Sequence, residues 1–186
     1  YISTPLQQSI TSETQFTYNV WFNKTGNNNT GNTFIGYSKS AEEIVDAGTN
    51  DNKSIFLGLR KSGYSLTTTK SDSDIYVYNT WNMATFIFDK GTIRLYLNGS
   101  LVKSGSFGDT FSTSYSLYIG ARNRINNPIN FFMGFLDDIR IYNRVLSESE
   151  IQELYSPGLN YGLIAYYPFD GNANDANGNG LDGQNF

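Results

Sequence analysis

Residues 131–155 read FFMGFLDDIRIYNRVLSESEIQELY, and this stretch decides the fold. Phe135, Asp137, Ile139 and Ile141 fall on one side of a period-two pattern, with Asp138, Arg140 and Tyr142 on the other. Such alternation, rich in Ile and Tyr, predicts a β-strand that places Asp137 on the same face as two isoleucines. A short helix follows. Ser147 and Glu150 are spaced as a capping box, and Leu146 and Ile151 as a hydrophobic staple. Pro157-Gly158 stops the helix within about two turns. The helix must pack Ile151 and Leu154 onto something.

Upstream, residues 81–102 read WNMATFIFDKGTIRLYLNGSLV. Ala84, Phe86 and Phe88 alternate, Asp89-Lys90-Gly91 turns, and Ile93, Leu95 and Leu97 alternate again. Asn98-Gly99 is a strong hairpin signal, because a type I′ turn needs positive φ at both central residues. A three-stranded meander is predicted. Phe16, Tyr18, Val20 and Phe22 alternate with Thr17, Asn19 and Trp21, which predicts a strand with one apolar face. Residues 23–32, nearly all Asn, Gly and Thr, read as a surface loop. Short strands are predicted at 34–37, 55–59, 64–66, 75–78 and 115–120. Residues 41–46 (AEEIVD) form a polar excursion assigned to no element. Short strands at about ten-residue spacing predict a sandwich.

Composition narrows function. Of 186 residues, 16% are aromatic, with 14 Tyr and 13 Phe, and only 16% are charged. That balance suits antiparallel sheets joined by polar loops. The net charge is -4 with no basic run, which argues against nucleic acid as a partner. No apolar run approaches the roughly 20 residues of a membrane span. Histidine and cysteine are absent, which removes the Ser-His-Asp triad, a cysteine nucleophile, and imidazole or thiolate metal sites. The chain begins at Tyr1 rather than Met, as a mature or excised piece of a longer protein does.

The opening stretch resembles the closing segment of the laminin-G-like, concanavalin-A-like lectin/glucanase jelly-roll family. The residues that carry the resemblance are Gly134, Asp137 through Arg144, Leu146-Ser147, Glu150-Ile151 and Leu154. The Leu95-Tyr96-Leu97-Asn98-Gly99 turn and residues 115–120 (YSLYIG) match the family too. The resemblance implies an all-β, two-sheet antiparallel jelly-roll sandwich with one short helix near 147–155. Residues 163–186, LIAYYPFDGNANDANGNGLDGQNF, resemble the phrase with which such a domain begins. The motif order is therefore rotated, with the opening strand at the C-terminus. The expected organisation is a laminin-G-like body at 1–158 and an opening-strand segment at 159–186, completing the same sandwich or that of a next copy. A slice of tandem repeats, a circular permutation and a strand exchanged with a neighbour each produce this order. Leu163, Ile164, Tyr166, Tyr167 and Phe169 would each forgo roughly 1.5–3 kcal/mol of burial in water, so the segment is expected to be ordered.

The loop at 170–182 is dense in oxygen donors, and Asp175-x-Asn177-x-Asn179-Gly180 fits the first half of a calcium loop. Phe186 stands at the twelfth position, so this is no EF-hand. The resemblance implies a structural calcium held by Asp137, Asp138, Asp170, Asp175, Asn177 and Asn179. The alternative is a turn rich in Asx hydrogen bonds. Sugar binding needs aromatic platforms beside amide or carboxylate groups. Trp21, Tyr76, Tyr78, Tyr96 and Tyr118 are the candidates, set against ordinary strand packing with a wet hydroxyl. The acidic strand motif E-x-D-x-x-E of glycosidases on this fold is absent. The expectation is a non-catalytic extracellular or cell-surface module binding glycan or a surface protein. The alternative is a structural repeat of a stalk or fibre, pairing with further copies of itself through a shared strand.

Overall fold

The computed structural model of the chain describes every residue except 8–10, 12, 27–31, 39–43, 62–65, 111–115, 125–126, 155–162 and 186. In chain order the strands are β1 (Ile2–Gln7), β2 (Gln15–Lys24), β3 (Asn32–Ser38), β4 (Ile44–Thr49) and β5 (Ile55–Arg60). Next come β6 (Thr67–Lys70), β7 (Asn82–Asp89), β8 (Thr92–Leu97), β9 (Ser100–Ser106) and β10 (Ser116–Ile119). β11 (Arg122–Arg124), β12 (Asn127–Ile129) and β13 (Gly134–Tyr142) lead into α1 (Glu148–Glu153), and β14 (Leu163–Tyr167) and β15 (Gln184–Asn185) come last.

Two sheets face each other as a jelly-roll sandwich. One is antiparallel in the order β14-β13-β2-β7-β8-β9. The other runs β15-β1-β10-β3-β4-β5-β6, with β11 parallel to β3 and paired to β12. The core between them takes Phe16, Tyr18, Val20 and Phe22 from β2 and Phe86 and Phe88 from β7. Leu57 and Leu59 from β5 and Ile139 and Ile141 from β13 are part of it. The meander closes through two tight turns. Lys90 and Gly91 (φ 47° and 91°), like Asn98 and Gly99 (φ 50° and 82°), hold the paired positive φ values of type I′ hairpins.

The six-stranded sheet is covered over part of its outer side as well. α1 lays Ile151, with Leu146 before it and Leu154 after it, over Met83, Ile87, Tyr96 and Tyr142. The predicted capping box is present. Ser147 Oγ accepts from the Glu150 amide at 3.3 Å, and the Ser147 amide donates to Glu150 Oε2 at 2.7 Å.

Two strand predictions are corrected, and one unassigned segment finds its place. Residues 75–78 are a loop: the Ile75 amide donates to the Lys53 carbonyl at 3.1 Å, and Tyr76 is buried with its ring edge-on to Phe22 at 5.1 Å. The strand that pairs with β5 is β6, just beyond the predicted 64–66, of which Tyr64 and Ser65 lie outside the described residues. Residues 44–49, unassigned from sequence, form β4, which is buried throughout. β4 shows no alternation because Asp46 points away from the core yet is covered. Its carboxylate accepts from Thr33 Oγ1 at 2.7 Å and from Arg122 Nη1 at 3.0 Å. Burial pushes Asp46 up, and Arg122 and Thr33 oppose that rise.

The largest departure lies in β13. Its pairing with β2 slips between Asp137 and Arg140, and Asp138 takes a left-handed φ of 47°. This is a β-bulge, and the extra residue reverses the alternation upstream. Leu136 therefore sits opposite Phe22 and packs on the core, whereas Asp137 sits opposite Trp21 and Phe135 opposite Asn23. The predicted placement of Phe135 and Asp137 on the core face with Ile139 and Ile141 is overturned.

The C-terminal segment pairs within its own chain. β14 lies antiparallel to β13, and β15 pairs with β1 in the other sheet. The loop between them protects the open edge of β14. Asp175 Oδ1 accepts from the Tyr166 amide at 2.9 Å, and the Ala176 amide donates to the Tyr166 carbonyl at 2.8 Å. Asn177 and Asn179 donate their side-chain amides to the carbonyls of Leu163 and Ile164 at 2.7 and 2.8 Å.

The cap of α1 titrates. Arg144 Nη1 donates to Glu150 Oε2 at 3.0 Å, and with the Ser147 amide it pulls Glu150 down to about 2. The folded value lies below the unfolded one, so the stabilisation is complete above about pH 4.5 and is lost as pH falls towards 2. Glu150→Gln is expected to cost about 1 kcal/mol at neutral pH and to flatten this acid limb in urea unfolding. A carboxyl midpoint near the ordinary Glu value by NMR would refute the assignment.

Candidate functional site

α1 covers only part of the outer face of the six-stranded sheet. Towards the end where β2 finishes and β13 begins, that face is open. Side chains there follow the register. Asp137, Trp21 and Met83 form one cross-strand row, and Phe135 and Asn23 begin the next. Trp81 immediately precedes β7 and alternates with Asn82, so it extends the second row. Phe135 is 61% exposed and Trp81 46%. Two strand spacings separate them, about 10 Å, with the Asn23 side chain between. Trp21 is half-buried and leans on the cluster beneath α1. The Asn23 side-chain oxygen is buried and has no hydrogen-bond partner among the described residues, which leaves its amide nitrogen as the group for the open face. The strip thus offers two aromatic rings, an amide and a carboxylate on one flat surface.

The two aspartates of the bulge do different work. Asp138 Oδ1 accepts from the Tyr166 hydroxyl at 2.6 Å and lies 3.6 Å from Arg140 Nη2, and the Arg140 guanidinium stacks 4.7 Å over the Tyr166 ring. Burial and, after it, the Asp138 carboxylate push Tyr166 up to about 12, so its hydroxyl stays a donor. Among the described residues, Asp137 accepts from the Asp138 amide at 2.8 Å and from no other donor. Burial raises it most, and the charges of Asp138 and Asp170 add to that, against the amide bond and Arg140.

Between the sheets at the same end lies a hollow of about 200 Å³. Tyr1, Ile2 and Ile119 line one side, and Phe132, Leu136 and Phe169 the other. At its rim Tyr1 stacks on Tyr118 at 5.4 Å and tilts against Phe131 at 5.7 Å. Gly134 is required here. It holds φ 151° with its α-carbon against the Asn23 carbonyl, where a Cβ would clash.

The aromatic candidates divide sharply. Tyr76 and Tyr96 are each 3% exposed, so burial removes both rings as stacking platforms. The Tyr96 hydroxyl instead donates to Glu148 at 3.4 Å, beneath α1. Tyr78 is half-buried, donates to the Asp51 carbonyl at 3.0 Å, and has Lys24 and Lys53 each 5.7 Å from its ring centre. Tyr118 is buried under Tyr1. Trp21 alone lies on the open strip. Phe135 and Trp81 were missed because the bulge hid one and the other was read as a strand opener. The adjacent aspartates were the available signal, since Asp tolerates the left-handed conformation that a bulge uses.

The six residues assigned to calcium do not assemble as one set. Calcium asks for six to eight converging oxygens. Asp137, Asp138 and Asp170 lie near one another, whereas Asp175, Asn177 and Asn179 hold the edge of β14. Asp175 Oδ1 is engaged by two amides, and its buried Oδ2 has no partner among the described residues. Among the described residues no group of three or more acidic side chains is arranged around a common point for a metal.

With this geometry in view, comparison with known proteins is informative. A laminin G family model, described as the concanavalin A-like lectin/glucanases superfamily, matches residues 1–152. The chain belongs to this superfamily. No curated protein matches it by sequence. Solved structures of other proteins share the fold. A carbohydrate-binding protein of Bacteroides ovatus, described as putative in its own name, aligns with TM-score 0.70 at 20% identity, over 98% of this chain and 54% of that one. The CBM40 of Ruminococcus gnavus IT-sialidase aligns with TM-score 0.63 at 15% identity, over 77% and 83%. Domain 4 of AbnA, an extracellular arabinanase of Geobacillus stearothermophilus in complex with arabinotriose, aligns with TM-score 0.61 at 21% identity, over 81% and 69%.

Asp175 is 6% exposed and ties the loop to β14. Asp175→Ala is expected to cost about 1–3 kcal/mol in urea unfolding and to speed hydrogen exchange at the Tyr166 amide. Unchanged exchange at that amide would show that the loop does not protect the edge.

Proposed function

We propose that the chain is a non-catalytic carbohydrate-recognition module, working outside the cell or on its surface, whose glycan lies across the strip of Phe135, Asn23 and Trp81. The observation that carries this reading is the pair of exposed rings flanking an amide on a rigid sheet. Sugar rings present C–H faces that pack on aromatic rings, and hydroxyls that bond to amides and carboxylates. Asn23 and Asp137 supply the polar groups, and β2 and β13 hold them without hinges. The sugar-binding names of the three relatives support the same class of ligand. Glycoside hydrolysis needs two carboxylates flanking the bond. On this strip Asp137 stands alone, because Tyr166 and Arg140 hold Asp138. The binding reading is favoured over a strand-sharing repeat because β14 pairs with β13 of its own chain while the aromatic strip stays open.

A glycan array probed with and without chelator, followed by titration calorimetry on the best sugar, tests this. Trp81→Ala and Phe135→Ala are each expected to weaken binding by about tenfold without changing the unfolding midpoint. Bound glycan is expected to remain uncut. A flat array, or affinity untouched in both variants, would remove the proposal.

A further inference from the structure

The strip has a definite length and direction. In the row of Phe135 and Asn23 the sheet is three strands wide. The pairing of β14 with β13 stops at Ile139, and that of β8 with β7 stops at Ala84. Among the described residues, therefore, no strand continues the row beyond Phe135 or beyond Trp81. The side towards α1 is filled, since Met83 is buried and Trp21 packs on the cluster beneath the helix. A ligand on this row can run out at both ends but has no room to branch towards α1.

Neighbouring strands lie about 4.8 Å apart, close to the length of one pyranose unit in an extended chain. A glycan lying along the row, across the strands, thus sets one unit on each strand. The outer two rest on the exposed rings of Phe135 and Trp81, and the middle one lies over the Asn23 amide nitrogen. Equatorial links keep such a chain straight and turn successive units over, so the first and third present the same face to the two rings. An axial link bends the chain and lifts one outer unit off its ring.

Charge narrows the class further. Asp137 stands in the adjoining row on the same face, and the other residues of the two rows bring no cation to it. Among the described residues Asp137 forms no ion pair, and Arg140 is engaged with Asp138. The carboxylates of Asp138 and Asp170 stand near enough to add, after burial, to the rise of Asp137. We propose that the strip binds the interior of a straight, uncharged, β-1,4-linked polysaccharide, reading three successive pyranose units and no chain end. This specificity rests on the strip being a glycan site at all. A uronate or sialylated chain would set its carboxylates against Asp137.

The test is titration calorimetry of the 186-residue chain with oligosaccharides of two to six units. The probes are β-1,4-linked oligomers of glucose, mannose and N-acetylglucosamine, compared with α-1,4-linked glucose and β-1,4-linked glucuronate oligomers. At least one neutral β-1,4 series is expected to gain about tenfold in affinity from dimer to trimer and to level off by the tetramer. Reducing the terminal sugar of its hexamer to the alditol is expected to leave affinity unchanged. Trp81→Ala and Phe135→Ala are each expected to abolish the gain from dimer to trimer, and Trp81→Phe to retain it. The glucuronate hexamer is expected to bind about fivefold more weakly than the glucose hexamer, and Asp137→Asn to narrow that gap. Affinity independent of chain length, loss of binding on alditol reduction, or equal or tighter binding of the α-linked or charged series would overturn the proposal while leaving carbohydrate recognition in place. Binding to none of these series would overturn it too, and the glycan site falls with it only if the array is also flat.

Discussion

One extra residue in β13 governs this end of the molecule. At the bulge, Asp138 and Ile139 occupy the length that a single residue of β2, Val20, spans, and everything upstream changes face. Leu136 is turned into the sandwich and becomes a wall of the hollow. Phe135 and Asp137 are turned out onto the sheet beside Trp21 and Asn23. Without the slip, Phe135 and an unpaired carboxylate would enter the core, where a buried charge costs far more than the contacts it makes. Asp138 takes the strained conformation, and the Tyr166 hydroxyl and Arg140 hold it there.

The same logic of covering polar groups runs through the rest of the fold. A sheet edge leaves backbone amides and carbonyls without partners. At β14 a loop supplies side chains in place of a strand, with Asp175 as acceptor and Asn177 and Asn179 as donors. On the nine-stranded sheet, Asp46 is matched by Thr33 and Arg122. On the outer side of the six-stranded sheet, α1 covers Met83, Ile87, Tyr96 and Tyr142 and stops short of the strip. The strip is therefore a consequence of helix length. A helix of six residues cannot shield a sheet whose longest strand has ten.

Much of this was legible before any coordinates. The apolar face of residues 16–22, the two hairpin turns and the capping box at Ser147 and Glu150 follow from spacing and from φ preferences. The candidate site was less legible. Trp21 was placed on the outward face correctly, by parity with Val20 and Phe22. Phe135 was placed inward, because a period-two count assumes an unbroken ladder. Tyr76 and Tyr96 looked available because a tyrosine in an alternating segment carries no mark of what will cover it. The Asp175 loop read as a metal loop or a turn with the same residues, since carboxylates and amides bind cations or backbone by the same atoms.

What the amino-acid sequence determined by itself was local: the apolar face of β2, the turns of the β7–β9 meander and the capped start of α1. Those outcomes depend on atoms within a few residues of one another. Tertiary structure alone decided the face of Phe135 and Asp137, the burial of Tyr76 and Tyr96, and the use of the 170–182 loop as an edge cover. Each depends on the register of a partner strand distant in the chain, and a shift of one residue there reverses every side chain beyond it.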